Sequence, residues 1–344
     1  MWNPKYRSAP PIDTFLSVEN VQISVDLTKT GTAQHPIVDW YICLHRFRSD
    51  SPMRFNYFEP SSIKETVDVL HQGQGNNKIL AGGTDIIIRL RRQAGSYQGL
   101  VNIKQLPDLT TFSTGPRGGL SIGAVTRLRL LETSTAIREH FPVLLEAIQV
   151  IGSLQLRNMA TIGGNLCNAS PSADSAPALI ATGATATFID DGGNERTVPI
   201  QRLFVGPGSS LLGSTGLLLR IDVPEPAVMT GNNFERLTPR NAMDIAIVSA
   251  ASQLTLEPTN GKVRDVSIAL GAVAPTPVQA PRAEDILRNR EPTSVLLAKA
   301  ATMAMEECNP IDDIRGSASY RRAMVGVLVR RTLERAFERA QKRR

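Results

Sequence analysis

Two glycine pairs, each at the end of an apolar run, constrain this chain of 344 residues more than any other feature. The first glycine motif is KILAGGTD at residues 78–85, and the second glycine motif is ATIGGN at residues 160–165. A turn without Cβ atoms lets main-chain N–H groups approach an anionic oxygen, and a helix that begins beyond the turn adds its positive end. We therefore expect both motifs to bind an anion. For the first motif taken alone, a tight strand-to-helix turn selected for packing is the alternative.

Neither glycine motif is followed by a lysine. A nucleotide that is hydrolysed usually needs a lysine and a magnesium ligand at its phosphates, whereas a diphosphate that serves only as a handle can be bound by amides. The motifs thus favour a bound cofactor, and we predict FAD. Residues 155–174 combine glycines with polar residues, which is typical of a ligand-binding loop. Asp174, at the end of this loop, can cap the next helix, contact the cofactor, or do both.

The composition excludes several classes of protein. With 42% hydrophobic residues the chain can bury a substantial core, and its length predicts two or three domains. Its three cysteines, Cys43, Cys167 and Cys308, form no CxxC pattern, so we predict no iron–sulfur cluster or other metal site in this chain. No apolar run approaches the roughly 18 residues of a membrane span. We therefore expect a cytoplasmic protein without direct membrane insertion.

Two further sequence patterns give little indication of function. The net charge of +6 is concentrated in residues 320–344, whose apolar spacing predicts an amphipathic helix with a solvated basic face or, alternatively, a docking surface for an acidic partner. We expect no nucleic-acid binding. Ser121 lies in a GxSxG pattern, but this pattern begins a strand rather than a strand-to-helix turn, so we do not expect a nucleophile. No histidine or tyrosine near the glycine motifs can be assigned as an acid–base group, and we predict no catalytic residue.

The order of predicted elements changes along the chain. Residues 1–52 lack sustained periodicity, and we expect a poorly ordered extension, with Met53 as the natural start. A small α/β unit follows, then strand-like sequence from residue 119, a helix over residues 137–150 and a hairpin around the DGGN turn at residues 191–194. The last third predicts two strands, at residues 246–256 and 263–273, followed by helices.

Four segments in order, from Met53 onward, resemble the FAD-binding (medium) subunit of molybdenum hydroxylases, the family of bacterial carbon monoxide dehydrogenase and xanthine dehydrogenase. They are KILAGGTD at residues 78–85, QLRNMATIGGNLCNASPSAD at residues 155–174, TPRNAMDIA at residues 238–246 and LGAVAPTP at residues 270–277. The resemblance implies an α+β fold. It has a two-subdomain FAD-binding domain of the vanillyl-alcohol-oxidase/CO-dehydrogenase flavoprotein type at residues 53–228 (about 53–106 and 107–228), and a C-terminal domain of antiparallel sheet and helices at residues 229–344.

The resemblance also implies the residues that bind FAD. Both glycine motifs would line the diphosphate, through Ile79, Leu80, Ala81, Gly82, Gly83, Thr84, Asp85 and Ile86 in the first and Thr161, Gly163, Gly164 and Asn165 in the second. Asp174 would address the adenosine half, Ile151 the isoalloxazine ring, and Leu218 or Leu219 would pack on the cofactor. Arg236 stands where many relatives carry a lysine, and arginine is bulkier and always charged.

As a family member, the chain would be one part of an electron relay. A large subunit with a molybdenum–pterin centre would oxidise the substrate, and a small subunit with two [2Fe-2S] clusters would pass electrons to the FAD of this chain, in a dimer of heterotrimers. The flavin would then reduce a final acceptor, such as NAD, a quinone or oxygen. A self-sufficient flavin oxidase or reductase and a flavin-free assembly subunit are the alternatives.

Overall fold

The computed structural model describes residues 55–92, 97–240 and 243–343. The predicted extension at residues 1–52 and the hypothesis that Met53 is the natural start lie outside these ranges. Among the described helices, none combines the length and the apolar character that crossing a bilayer requires.

The first unit is a three-stranded parallel sheet with two connecting helices. Its elements are β1 (Asn56–Phe58), α1 (Ile63–Gln72), β2 (Asn77–Leu80), α2 (Ile86–Arg92) and β3 (Gly99–Asn102), and β3 lies between the other two strands. The helix α1 begins after Ser62, whose Oγ accepts the Glu65 N–H and thereby caps the helix. Because parallel strands share their carboxyl-terminal edge, the first glycine motif follows β2 at the edge where such sheets bind ligands.

The second unit is built on an antiparallel sheet of five strands, in the order β4-β5-β10-β6-β7. The strands are β4 (Phe112–Thr114), β5 (Leu120–Gly123), β6 (Thr185–Ile189), β7 (Glu195–Pro199) and β10 (Leu217–Val223). The predicted hairpin around the DGGN turn is confirmed, because β6 and β7 pair across it. A 3-10 helix (Ile200–Leu203) and two short strands, β8 (Phe204–Gly206) and β9 (Ser209–Ser210), connect β7 to β10.

Seven short helices belong to this unit: α3 (Pro107–Thr110), α4 (Leu128–Thr133), α5 (Thr135–His140), α6 (Pro142–Gln149), α7 (Leu154–Met159), α8 (Ile162–Cys167) and α9 (Ser175–Ala181). The prediction of one helix over residues 137–150 is wrong. The chain breaks at Phe141 and a new helix begins at Pro142, because proline has no N–H for the preceding turn and fits the first position of a helix.

The third unit is an antiparallel sheet of four strands with three helices. It contains β11 (Thr230–Leu237), β12 (Val248–Leu256), β13 (Val263–Gly271) and β14 (Val278–Gln279), followed by α10 (Pro281–Leu287), α11 (Ser294–Glu306) and α12 (Ala318–Lys342). The sequence did not predict β11, which has no alternating pattern. α12 packs against β11 and buries the apolar stripe predicted for this segment, including Val325, Leu328 and Leu333. A Cβ atom on Gly231 would lie 2.0 Å from the Ala336 carbonyl oxygen, so this close approach requires glycine.

The second and third units share one apolar core. Phe234, Ala251 and Ala269 of the third sheet belong to the same buried cluster as the strands and helices of the second unit. A Cβ on Gly271 would lie 2.9 Å from the Pro177 ring, which shows how closely α9 approaches β13. This packing fixes β11 beside the second glycine motif and thereby positions the side chain of Arg236.

Candidate functional site

A cleft of about 570 Å³ joins the two glycine motifs and is also lined by residues from the third unit. It is lined by fifteen of the predicted cofactor-binding residues: Ile79, Ala81, Gly82, Gly83, Thr84, Asp85, Ile86, Ile151, Thr161, Gly163, Gly164, Asn165, Asp174, Leu218 and Arg236. Leu80 and Leu219 do not line it. Leu219 packs into the core beside the parallel sheet, so the structure places Leu218, of the two neighbouring leucines, at the cleft.

The first glycine motif forms an open turn that contacts the chain at the start of the second glycine motif. A Cβ on Gly82 would lie 2.4 Å from the Met159 carbonyl oxygen, and Gly83 has a φ of +84°, which favours glycine. Within the described residues, the N–H groups of Gly82, Gly83, Thr84 and Asp85 donate to no protein acceptor. Four consecutive donors are therefore available to a ligand in the cleft, as the sequence predicts for this motif.

The second glycine motif has a different structure, and the amides of its two glycines donate to acceptors within the protein. Thr161 caps α8, so Gly163 and Gly164 lie within the first turn of that helix rather than in a turn before it. The Gly163 N–H donates to the Ala124 carbonyl oxygen at 2.9 Å, and the Gly164 N–H donates to Thr161 Oγ1 at 3.1 Å. These amides are satisfied by the protein, so the glycines matter through the space that their missing side chains leave.

That space differs between the two glycines. A Cβ on Gly163 would lie 2.5 Å from the Ala124 carbonyl oxygen, which is main chain at the end of β5. A Cβ on Gly164 would meet only Thr161 Oγ1, at 2.8 Å, with no other atom within 4 Å. Gly163 thus permits the helix to pack on the sheet, whereas Gly164 keeps the cleft wall free of a side chain.

Asp174 forms a buried ion pair with Arg236 at the cleft. Arg236 Nη1 lies 2.6 Å from Asp174 Oδ2, and both side chains are about 95% buried. The position of Asp174 before α9 agrees with the predicted cap, but its side chain makes no capping hydrogen bond, because the carboxylate is turned towards Arg236. Asp174 Oδ1 and Arg236 Nη2 have no partner within the described part of the chain. One acceptor and one donor are therefore left for a ligand.

Burial dominates the electrostatics of this pair. It raises the pKa of Asp174 to about 6, although the charge and hydrogen bond of Arg236 act in the opposite direction. Arg236 is held by a second hydrogen bond, from Nη1 to the Asp244 carbonyl oxygen at 3.3 Å. A ligand that donates to Asp174 Oδ1 would favour the ionised carboxylate.

A second buried ion pair holds the loop that carries Ile151. The Arg157 guanidinium binds both carboxylate oxygens of Glu132, at 2.9 and 3.0 Å, and its remaining nitrogen donates to the Ile151 carbonyl oxygen at 3.0 Å. Burial acts to raise the pKa of Glu132, but Arg157 and Arg129 outweigh it and hold that pKa below its usual range. Glu132 is therefore ionised near neutral pH and fixes this segment beside the cleft.

The cleft contains residues that the sequence analysis missed: Lys78, Ile88, Arg89, Ile103, Ala124, Gly152, Leu156, Ala160, Cys167, Asn168, Ser170, Ser172, Ala173, Leu217, Asp244 and Ile245. Many of them lie inside the motifs that carry the family resemblance, and that signal could have identified them. The residues at strand ends, Ile103, Ala124 and Leu217, had no such signal, because only the tertiary fold brings them to the cleft.

Other candidate groups in the described chain have structural roles. The Ser121 hydroxyl donates to Asp222 Oδ1 at 2.7 Å across paired strands, so it is no nucleophile elbow, as expected. Burial raises the pKa of the Cys167 thiol to about 12, which keeps it protonated. No group of three or more His, Cys, Asp or Glu residues among the described positions could hold a metal ion.

The features of the cleft fit an elongated dinucleotide. Its volume is within the usual range of small-molecule sites, roughly 300–1,000 Å³. Open amides at the first glycine motif suit an anionic centre, whereas Ile79, Ile151 and Leu218 offer apolar surface to rings. The unpartnered atoms of Asp174 and Arg236 suit polar groups of a heterocycle or sugar.

Comparisons with known proteins agree with this geometry. A family model described as the FAD binding domain in molybdopterin dehydrogenase matches residues 53–226, and one described as the CO dehydrogenase flavoprotein C-terminal domain matches residues 234–336. The carbon monoxide dehydrogenase medium chain of Hydrogenophaga pseudoflava is 32% identical over 84% of this chain and 99% of its own length. The xanthine dehydrogenase FAD-binding subunit of Escherichia coli O157:H7 is 29% identical over 82% of this chain and 95% of its own length.

Solved structures are similar over the same region. A carbon monoxide dehydrogenase from Hydrogenophaga pseudoflava, which lacks the Mo-pyranopterin moiety of the molybdenum cofactor, aligns with a TM-score of 0.78 and 32% identity, over 83% of this chain and 98% of the other. Quinoline 2-oxidoreductase from Pseudomonas putida 86 aligns with a TM-score of 0.75 and 28% identity, again over 83% of this chain and 98% of the other.

Proposed function

This chain belongs to the family of FAD-binding medium subunits of molybdenum hydroxylases, and on that premise we propose that it is the electron-transfer subunit of such a complex. It takes electrons from [2Fe-2S] clusters of a partner subunit and passes them to a final acceptor. The observation that carries this proposal is the cleft, which is lined by the first glycine motif with its open amides, by the second glycine motif and by the Asp174–Arg236 pair.

The residues of the cleft would hold the cofactor in defined ways. The amides of Gly82, Gly83, Thr84 and Asp85 would donate to the diphosphate, and Gly164 would leave room for it. Asp174 Oδ1 would accept a hydrogen bond from the cofactor and Arg236 Nη2 would donate one, and the family resemblance assigns Asp174 to the adenosine half.

The apolar wall would orient the flavin and exclude water from it. Ile151 and Leu218 provide this surface, and the Arg157–Glu132 pair fixes the segment that carries Ile151. FAD, when bound, supplies chemistry that connects one-electron and two-electron transfer. The protein contributes the position and the electrostatic surroundings of the ring.

The proposed partners are a large molybdenum–pterin subunit and a small [2Fe-2S] subunit, arranged in the cytoplasm as a dimer of heterotrimers. Curated relatives are named as medium chains or subunits of dehydrogenases. Exposed apolar side chains near the cleft suit contact with another subunit: Ile87, Ile88, Leu156, Met159 and Ile245 are each more than a third exposed.

The absorption spectrum of the purified full-length chain tests the cofactor assignment. We expect the bands of oxidised flavin near ~450 nm, with about one FAD released per chain on denaturation. A chain that neither carries flavin after purification nor binds added FAD would support a flavin-free assembly subunit instead. Co-purification from the native source, followed by identification of the bound subunits, tests the partner assignment.

A further inference from the structure

The charges that line the cleft are unevenly compensated. Three cationic residues line it, namely Lys78, Arg89 and Arg236. Arg236 is neutralised by Asp174 at 2.6 Å. The ammonium group of Lys78 lies over the ring of Tyr97, 5.7 Å from its centroid. Within the described chain, Arg89 makes no ion pair with a carboxylate.

Arg89 lies where the two glycine motifs meet. It is in α2, which follows the first motif directly, and its Nη2 atom donates to Asn168 Oδ1. Asn168 caps the end of α8, the helix that contains the second glycine pair, and its Nδ2 atom donates to Asp85 Oδ1 at 3.2 Å. The amide of Asn168 thus separates Arg89 from Asp85 and ties α2 to α8 across the cleft.

A diphosphate held here needs a positive charge as well as amides. The amides of Gly163 and Gly164 are used within the protein, so most of the open amides come from the first motif. These amides are neutral, whereas the diphosphate of a dinucleotide carries about two negative charges, which cost much free energy to remove from water without a counter-charge. The carboxylate of Asp85 nearby increases this need.

We propose that Arg89 binds the cofactor diphosphate and supplies its counter-charge, an inference that rests on the proposed function. The guanidinium has five N–H donors in a planar fork, and Asn168 occupies one of its nitrogen atoms. The remaining donors can bind phosphate oxygens, as arginine does in other anion sites. Asn168 holds the guanidinium at the junction of the two motifs, and Arg89 thereby takes the part that a lysine has in phosphate-binding loops that hydrolyse nucleotides.

The test is an FAD titration of the flavin-free full-length chain, comparing wild type with Arg89→Gln at low and high salt. We expect the substitution to raise the FAD dissociation constant roughly tenfold to hundredfold, the range for hydrogen bonds to a charged group. The loss should be smaller at high salt, because salt screens an exposed charge. The inhibition constant of ADP, which contains a diphosphate, should rise in the variant, whereas that of adenosine, corrected for the FAD dissociation constant of each chain, should be unchanged. Arg89→Lys should recover part of the affinity.

Arg138→Gln is the matched control, since Arg138 is an exposed helical arginine of α5 that does not line the cleft. This substitution should leave the dissociation constants of FAD, ADP and adenosine unchanged. Equal FAD affinity in wild type and Arg89→Gln would overturn the inference, as would an equal loss of affinity for ADP and adenosine. A wild-type chain that binds no FAD would instead contradict the proposed function, so the two failures are distinguishable.

Discussion

At the scale of single residues, the two glycines of the second motif separate packing from binding. Gly163→Ala should lower the free energy of unfolding by about 1–3 kcal/mol, because its Cβ would press on the Ala124 carbonyl oxygen and strain the end of β5.

Gly164→Val should leave a folded chain that binds no FAD, because its side chain would enter the cleft. Urea unfolding and flavin content measure the two effects. Gly206→Ala, with no atom within 4 Å of the added Cβ, is the control, and unchanged flavin content in Gly164→Val would contradict the site.

The buried carboxyl of Asp174 gives the flavin-free chain a defined pH dependence. Its pKa is raised from 3.8 to about 6 by burial against the effect of Arg236, so the folded chain binds more protons than the unfolded chain between these values. This carboxyl therefore stabilises the fold below its unfolded pKa, and that stability is lost as pH rises through about 6. Relative to Asp174→Asn, the unfolding free energy of wild type should fall from pH 4 to pH 6 and level off above pH 7. Chemical unfolding of both chains between pH 4 and pH 7 is the measurement. If the unfolding free energy of wild type relative to Asp174→Asn rose with pH, the raised pKa of Asp174 would be contradicted.

At the scale of elements, the sequence correctly predicted structure that depends on interactions between neighbouring residues. The hairpin around the DGGN turn was predicted at the right residues, because turn residues act within a few positions. The sequence did not predict that the amides of Gly163 and Gly164 donate to acceptors within the protein. Their acceptors depend on α8 beginning at Thr161 and packing against Ala124, which is distant in sequence. The partner of Asp174 was missed for the same reason, since Arg236 lies on another sheet.

The long helix α12 braces the second unit against the third. Arg339 donates to the Asn232 carbonyl oxygen and to Glu146 of α6, both at 2.6 Å. Arg339→Ala should lower the free energy of unfolding by about 2 kcal/mol, since hydrogen bonds to a charged group are lost. Arg335→Ala is the matched control on α12, where an exposed pair with Glu338 contributes at most about 1 kcal/mol. If urea unfolding showed equal losses of unfolding free energy for the two substitutions, the role of Arg339 in holding the two units together would be contradicted.

At the scale of the whole molecule, three units converge on one cleft. The parallel sheet supplies the open amides and Arg89, the second unit supplies the apolar wall and Asp174, and the third unit supplies Arg236. Because each unit contributes a different type of contact, a bound cofactor would hold the three units together. Bound FAD would therefore stabilise the folded chain by mass action.

The division of labour in the proposed complex gives a prediction for the chain as a whole. In the proposed relay the partner subunits oxidise the substrate and deliver its electrons, so the FAD-loaded chain alone should not be reduced by purines, aldehydes, N-heterocycles or carbon monoxide. Addition of the co-purified large and small subunits should allow the true substrate to bleach the flavin absorption under anaerobic conditions. Chemical reduction by dithionite is the control that the flavin is competent. Bleaching of the isolated chain by any of these substrates would favour a self-sufficient flavin oxidase, because the electrons would then reach the FAD without a molybdenum centre or an iron–sulfur relay.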